Sequence, residues 1–189
     1  VVALFPGLFT SQQPNDNCLL ANSDGGPIAG HPLGFTQQGC DVLARVVYGT
    51  RSSLMVGLLA TLGVVVVGGV IGALAGFFGG WVDAILARVS DIFFALPMIL
   101  GAIVVVQLPF FRENRNVWTI VLILVTFGWP QVARITRGAV LEIRNADFVT
   151  AAQSLGVSRI SALIKHVVPN AMAPVIVIAT ISLGTFIVA

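Results

Sequence analysis

Hydrophobic residues along this chain gather in long runs that contain no Asp, Glu, Lys or Arg. Four runs approach or exceed the length of a membrane span: 52–82, 92–111, 116–133 and 166–189. A helix needs about 20 mostly apolar residues to cross the hydrocarbon core of a bilayer. A transmembrane β-barrel would instead show short alternating segments. The pattern predicts an all-α integral membrane protein, a polytopic helical bundle with four complete spans.

The first nine residues are also apolar, but they are too few to span a membrane. No basic residue precedes them and no small-residue cleavage pattern follows, so they differ from a signal peptide. We interpret residues 1–9 as the end of a first transmembrane helix. The chain would then be part of a longer bundle and lack most of that helix.

Residues 10–51 consist of a polar stretch followed by a stretch with one apolar helical face. Residues 10–38 are rich in Pro, Gly, Asn and Gln, which predicts an external loop. In the stretch that follows, Asp41 and Arg45 are spaced for an i, i+4 ion pair. One helical face there is apolar and contains Val42, Leu43, Val46 and Val47. The stretch is either an amphipathic helix at the outer interface or an extramembrane first turn of the next span, and both could hold.

The first run has glycines at strict four-residue spacing: Gly68, Gly72, Gly76 and Gly80. Small residues at this spacing let two helix backbones approach closely in lipid. We favour packing within the subunit over packing between subunits. The run exceeds one span, so Gly79 and Gly80 should end the helix. Prolines in or beside the spans should kink them, and a role in gating stays open: Pro97, Pro130, Pro169 and Pro174.

Charge distribution sets the predicted orientation. Only 10% of the residues are charged, against about 25% in soluble domains. Five basic residues lie between the third and fourth runs, and they are Arg134, Arg137, Arg144, Arg159 and Lys165. Short cytoplasmic loops carry such an excess. Residues 134–165 and 79–91 should therefore be cytoplasmic, and 10–50 and 108–116 should be outside.

The cytoplasmic segment 134–165 contains a predicted short helix over 148–155. Its apolar positions follow the i, i+3, i+4, i+7 pattern: Phe148, Ala151, Ala152 and Leu155. Asp147 can cap its start, Gly156 can end it, and Ser158 can cap a second helix that runs through Lys165 into the last span. The two small alanines suit close contact with another surface. The alternative is a helical hairpin packed on its own bundle.

Several chemistries have no residues to support them. The sequence has no GxxxxGK[ST] phosphate loop, no HExxH, GxSxG or CxxC motif, and no cluster with metal-ligand spacing. None of the four runs has an acidic residue, which argues against a proton- or ion-coupled secondary carrier. No paired nucleophile and base lie on one side of the membrane, which argues against a membrane-embedded enzyme.

The cytoplasmic segment resembles the EAA loop of ABC-importer permeases, E-A-A-x3-G-x9-I-x-L-P. The residues that carry this likeness are Thr150, Ala151, Ala152, Gly156, His166, Val168 and Pro169. Thr150 replaces the usual Glu, and Val168 replaces Leu. His166 differs from the general motif, but a histidine followed by a Pro-Asn pair is typical of the peptide branch.

A second stretch resembles the C-type permease subunit of dipeptide, oligopeptide and nickel importers. It begins with the sequence HPLG at residues 31–34 and continues through GCDVLARVVYGTRSSL at residues 39–54. Phe35, Thr36 and Cys40 stand where that family has Thr, Asp and Arg. Residues 76–83 and 91–97 also match, so the likeness covers about 31–184.

The resemblance implies a type I ABC-importer permease with six helices, of which the last and most of the first would be missing here. Residues 52–189 would form the permease domain of a multi-pass bacterial plasma (inner) membrane protein. The subunit would form half of a path for dipeptides or oligopeptides; nickel or another small solute is the alternative. It would pair with a second permease, two cytoplasmic ATPase subunits and an external substrate-binding protein, and bind no nucleic acid.

The resemblance also implies roles for individual residues. The short helix would be the coupling helix that docks on an ATPase, through Phe148, Thr150, Ala151, Ala152, Leu155 and Gly156. This chain would hold no cofactor and would be no enzyme, since the partner ATPases would bind ATP and Mg and hydrolyse ATP.

Cysteine usage departs from the family. Cys40 stands where the family has arginine, and Cys18 is the only other cysteine in the chain. Both lie in the predicted external segment, where a disulfide can persist. We predict a Cys18–Cys40 disulfide that pins the loop; two free thiols are the alternative.

Overall fold

The computed structural model describes residues 2–16, 18–113 and 116–188, and these residues are mostly helical. Two 3-10 turns come first, at Pro6–Leu8 and Leu20–Asn22. Within the described residues nine α-helices follow: α1 Val42–Phe78, α2 Gly80–Ala95, α3 Met98–Val106, α4 Pro109–Glu113, α5 Val117–Ile143, α6 Asp147–Ser154, α7 Arg159–Ala162, α8 Val168–Asn170 and α9 Met172–Val188. A π-helical turn, Leu163–Val167, joins α7 to α8.

Two of these helices, α1 and α5, are long and apolar enough to cross a membrane by themselves. Two further pairs qualify when each is counted as one bent span. The first joins α2 to α3 across a bend of 80°, and the second joins Arg159–Asn170 to α9 across a bend of 61°. Among the described residues this gives two to four candidate spans, and the bundle is all-α as predicted.

The chain divides into two compact units, Val1–Met55 and Val56–Ala189. In the first unit, the apolar start that we predicted as a helix end is not helical. Residues 2–9 form turns and the 3-10 turn Pro6–Leu8, and Val1 lies outside the described residues. Proline disfavours helical geometry in the residue before it, and Phe5 has a φ of −130° and a ψ of 66°.

The start of α1 agrees with the second alternative for residues 40–51, and their placement at the outer interface stays a prediction. The helix begins at Val42 and continues to Phe78, so this stretch is an extension of the first span with no break before it. The predicted ion pair of Asp41 with Arg45 does not form. Among the described residues, Asp41 pairs with His31.

Glycines hold α1 against α5 within the second unit. A Cβ atom on Gly68 would lie 2.6 Å from the carbonyl oxygen of Trp129. A Cβ on Gly76 would lie 2.9 Å from the carbonyl oxygen of Arg137, and one on Gly72 would clash with the carbonyl oxygen of Ala133. The two backbones are therefore so close that only glycine fits at these positions, which is packing within the subunit.

The fourth predicted packing glycine, Gly80, has a different role. A Cβ there would meet nothing within 4 Å, and Gly80 has a φ of +52°. Gly79 has a φ of +63°, so the two glycines form the left-handed break between α1 and α2. The break occurs where predicted, but the cytoplasmic turn predicted over 79–91 is nearly all helix. Apolar residues such as Val82 and Ile85 continue the helical pattern up to Ala95.

The run 92–111 is not one continuous helix. It is divided at Leu96 and Pro97, where Leu96 is extended with a φ of −94° and a ψ of 117°. Proline disfavours helical geometry in the residue before it, which explains the break. Pro130 lies inside α5 without ending it, and α5 continues ten residues beyond the predicted apolar run, to Ile143.

The second helix that we predicted from Ser158 into the last span is also interrupted. Ser158 caps α7 as predicted, since its side chain accepts a hydrogen bond from the Ser161 N–H. The chain then passes through the π-helical turn and α8, and bends before α9. Pro169 lies in the first turn of α8, where its missing N–H costs least.

Two clusters of buried residues hold the second unit together. The mid-bundle cluster joins α1, α5 and α9: Ala60, Val64, Leu124, Val132, Val175, Ile178 and Phe186. The α6 cluster lies around the short helix: Ala73, Ala139, Val140, Val149, Leu163, Val167 and Ala171. Since α1 and α5 contribute to both, they connect the two clusters.

We expect Gly72→Ala to destabilise the bundle, because its new Cβ would overlap the backbone of α5. Overpacking of this kind costs about 1–3 kcal/mol. Gly69→Ala is the matched control, since it adds the same atom to the same helix with nothing within 4 Å. Thermal unfolding in detergent should show a lower midpoint for Gly72→Ala only. Equal midpoints would contradict the close approach of α1 and α5.

Candidate functional site

The short helix α6 begins one residue before the predicted one. Its N-cap is Ala146, whose side chain offers no hydrogen bond, and Asp147 is the first helical residue. The prediction that Asp147 caps the helix is therefore wrong. In the first turn, its carboxylate still interacts favourably with the positive end of the helix dipole.

The end of α6 is a Schellman motif built on Gly156. Gly156 has a φ of +93°, and its N–H donates to the carbonyl of Gln153. The N–H of Val157 donates to the carbonyl of Ala152. This pair of hydrogen bonds closes the last turn and requires the left-handed conformation that glycine adopts most easily. Gly156 therefore ends the helix, as its position predicts.

One face of α6 is buried in its own bundle. Val149 is fully buried and belongs to the α6 cluster, where it packs with residues of α1, α5 and the π-helical turn. Ala152 and Gln153, three and four residues further on, are half-buried. These spacings place the three residues on one side of the helix.

The opposite face of α6 is open. Leu155 is 87% exposed and Phe148 is 47% exposed. Thr150, Ala151 and Gly156 are also exposed. The predicted docking residues therefore divide: Ala152 lies toward the bundle, and the other five lie on the outside.

Val149 is the important residue that the sequence analysis missed. The i, i+3, i+4, i+7 pattern that starts at Phe148 was taken as the apolar face. A second pattern, Val149 with Ala152 and Gln153, fits the same helix. The sequence did contain a signal for this burial. Val149 is β-branched, a type that helices slightly disfavour, so its place in so short a helix suggests that packing compensates.

Arginine side chains join α5, the helix that leads into α6, to its neighbours α1 and α2. Nη1 of Arg144 donates to the carbonyl oxygen of Gly76 at 2.8 Å, in the last turn of α1. The last four carbonyls of a helix lack intrahelical donors, and a cation there also interacts well with the helix dipole. Arg144 thus ties the end of α5 to the end of α1.

A second arginine connects α5 to α2. Nε and Nη2 of Arg137 donate to the two carboxylate oxygens of Asp83 at 2.5 and 2.7 Å. Bidentate pairs of this kind fix geometry as well as adding energy. Arg134 lies over the ring of Phe94, with 4.0 Å from Cζ to the ring centroid. These arginines therefore join both α1 and α2 to α5, the helix that leads into α6.

The first unit is organised around Cys40 and Asp41. A disulfide joins Cys18 to Cys40, with their Cα atoms 4.2 Å apart. Oδ1 of Asp41 accepts a hydrogen bond from the Ala44 N–H at 3.0 Å, which caps the start of α1. Oδ2 of Asp41 lies 2.5 Å from Nδ1 of His31, whose ring packs on Phe35 at 4.5 Å between centroids.

The surroundings of Asp41 shift its titration. Burial raises its pKa, but the hydrogen bond from Ala44 and the contact with His31 together outweigh burial, so the pKa lies below its ordinary value. A carboxyl group whose pKa is lowered by folding stabilises the folded state above its unfolded pKa. That contribution is lost as the pH falls through the folded pKa.

Comparison with known proteins places this architecture in a family. Residues 68–189, which are more than half of the chain, match the family described as the binding-protein-dependent transport system inner membrane component. The chain belongs to this family. The matched region contains α2 to α9 and the glycines of α1 that contact α5.

Individual members of the family align over most of the chain. The oligopeptide transport system permease protein OppC of Bacillus subtilis (strain 168) is 35% identical over 188 residues, 99% of this chain and 60% of that protein. The dipeptide transport system permease protein DppC of Alkalihalophilus pseudofirmus is 33% identical over 187 residues, again 99% and 60%. The inner membrane ABC transporter permease protein YejE of Escherichia coli (strain K12) is 38% identical over 155 residues, 82% and 43%. The chain thus spans about 60% of the first two relatives.

We expect Asp41→Ala to destabilise the first unit by about 0.5–2 kcal/mol, because it removes the cap of α1. Asp41→Asn is the matched variant, since asparagine also caps helices but carries no charge. The wild-type unit should lose protease resistance as the pH falls below about 4, through protonation of Asp41. The Asn variant should lack that step. An identical acid profile for both proteins would show that Asp41 does not contribute it.

Proposed function

We propose that this chain is a membrane-spanning permease subunit of an ATP-driven ABC importer, in which it forms half of the translocation path for dipeptides or oligopeptides. The observation that carries the proposal is that α6 is buried on one face only. Val149 anchors the helix in the bundle, while Phe148 and Leu155 remain exposed. A helix that is anchored in the bundle on one face and exposed on the other can transmit the movement of a bound partner to the bundle.

In this proposal α6 is the coupling helix. Phe148 and Leu155 are the apolar anchors that enter a groove of a cytoplasmic ATPase subunit; a few such anchors carry most of the binding energy at an interface. The small side chains of this face, at Thr150, Ala151 and Gly156, let a partner surface approach closely. Movement of α6 reaches α1 and α5 through Val149 and the α6 cluster.

The partners supply the chemistry. Two ATPase subunits bind ATP and Mg and hydrolyse ATP, and this chain is no enzyme and holds no cofactor of its own. A second permease completes the path, and an external binding protein delivers the substrate. Among the described residues, no group of His, Cys, Asp or Glu is arranged to hold a metal ion. The names of the relatives, which refer to oligopeptide and dipeptide transport systems, support peptides over nickel.

The orientation follows from the basic residues. We place 134–165 and 79–91 in the cytoplasm and 10–50 and 108–116 outside, by the positive-inside rule. The Cys18–Cys40 disulfide supports this orientation, because disulfides persist outside the cytoplasm. A cysteine placed at Asn145 should react with an impermeant thiol reagent only after permeabilisation, whereas one at Asn114 should react in intact cells.

Leu155→Asp should abolish ATP-driven uptake of labelled di- and oligopeptides by cells that lack the native subunit. The side chain is exposed, so the substitution leaves the bundle itself intact, but it places a charge in the docking surface. An unpaired charge buried at an interface costs about 3–5 kcal/mol.

Ser158→Asp is the matched control. It adds the same charge three residues away, outside α6, and aspartate also caps helices. Both variants should be present in the membrane at wild-type levels. Normal uptake with Leu155→Asp would refute the coupling role of α6. Uptake of nickel but of no peptide by the wild-type importer would refute the proposed substrate class.

A further inference from the structure

The break between α2 and α3 leaves non-helical backbone within an apolar run. Leu96 is extended, and Pro97 has no N–H, so the carbonyls at the end of α2 lack the donors that a continuous helix would supply. Within a bilayer, such backbone is tolerated only where it is buried in protein or lines a water-filled cavity. The break therefore indicates either close protein packing or a water-filled cavity beside it.

A cavity of about 300 Å³ lies at this break, between α2, α3, α5 and α9. Its lining combines aromatic rings with uncharged polar side chains, among them Phe93, Phe127, Phe186, Gln131, Ser182 and Thr185. No charged residue lines it. Both prolines that interrupt helical hydrogen bonding nearby, Pro97 and Pro130, also face the cavity.

Two polar side chains in this lining have no partner among the described residues. Ser182 is only 9% exposed, and no hydrogen bond satisfies its hydroxyl. Gln131 is exposed at the edge of the cavity with no hydrogen bond from its amide, whereas the hydroxyl of Thr185 donates to the carbonyl of Ile181 at 3.0 Å. A buried hydroxyl or amide without a hydrogen bond is unfavourable. Ser182 thus needs water or a polar ligand in the cavity, and the amide of Gln131 is free to contact the same occupant.

We propose that this cavity is a water-filled section of the translocation path, in which Gln131 and Ser182 contact the main chain of a passing peptide. This inference rests on the proposed function. An amide and a hydroxyl each donate and accept hydrogen bonds, which matches the N–H and C=O groups that all peptides share. The aromatic rings offer apolar contact, and the uncharged lining does not select among peptides by side-chain charge.

Single cysteines test the cavity directly, because Cys18 and Cys40 are joined in a disulfide and leave no other thiol in this chain. The assembled transporter in open membrane fragments is treated with methanethiosulfonate ethylammonium. Ser182→Cys lies in the cavity. Val177→Cys is the matched control on the same helix, since Val177 is 59% exposed on the outside and does not line the cavity. The reagent attacks thiolates, which form in water and are suppressed in apolar surroundings, so Ser182→Cys should react about tenfold faster or more.

Modification should then block peptide uptake by Ser182→Cys and leave Val177→Cys unaffected. Equal rates at the two positions, or no reaction at Ser182→Cys, would overturn the proposal. If Ser182→Cys does not insert, Thr185→Cys takes its place under the same criteria. Peptide uptake by the untreated wild type is measured in parallel. Failure of that uptake refutes the proposed function, whereas an unreactive cavity in a functional importer refutes only this inference.

Discussion

The close approach of α1 and α5 is the contact on which the rest of the second unit depends. In lipid, helices gain little from the hydrophobic effect, so their association relies on tight packing and on polar contacts. Gly68, Gly72 and Gly76 provide the packing, because their missing side chains let the backbone of α5 lie against α1. We call this contact between α1 and α5 the seam. At its end, Arg144, the C-cap of α5, donates to the carbonyl of Gly76. The seam thus combines a backbone contact with a polar contact at its end.

The seam positions both candidate sites. At one end, the α6 cluster joins α1 and α5 to Val149, so α6 is attached to the helices that pack most closely. Further along, the mid-bundle cluster brings α9 against the same two helices. The cavity at the broken helix lies between α5, α9 and the α2–α3 pair. The same helix, α5, therefore contacts both the α6 cluster and the cavity.

Much of the architecture could be predicted from the sequence, because apolar runs and glycine spacing act locally. The runs predicted helices, Gly79 and Gly80 ended α1, and Gly156 ended α6, since only glycine adopts those backbone conformations easily. Three of the four spaced glycines pack as proposed. The fourth, Gly80, lies beyond the break, where spacing along the chain no longer corresponds to a helical face.

Other features depend on tertiary contacts that spacing does not encode. Two apolar patterns fit α6, and only the surrounding bundle decides that Val149 is the buried residue. Asp41 had a plausible partner in Arg45, but His31, ten residues away, lies closer in the folded loop. The cavity was not predictable at all, because Gln131 and Ser182 come from different helices.

In the proposed importer, the exposed face of α6 docks on an ATPase subunit while Val149 holds the other face in the bundle. Site-specific cross-linking tests this most directly. Leu155→Cys would be the only free thiol in the chain, and it would be labelled with a short thiol-reactive benzophenone, which on illumination inserts into C–H bonds of whatever protein lies against it in the assembled transporter. We expect a covalent product between this chain and an ATPase subunit. An assembled complex that hydrolyses ATP but yields no such product would contradict it.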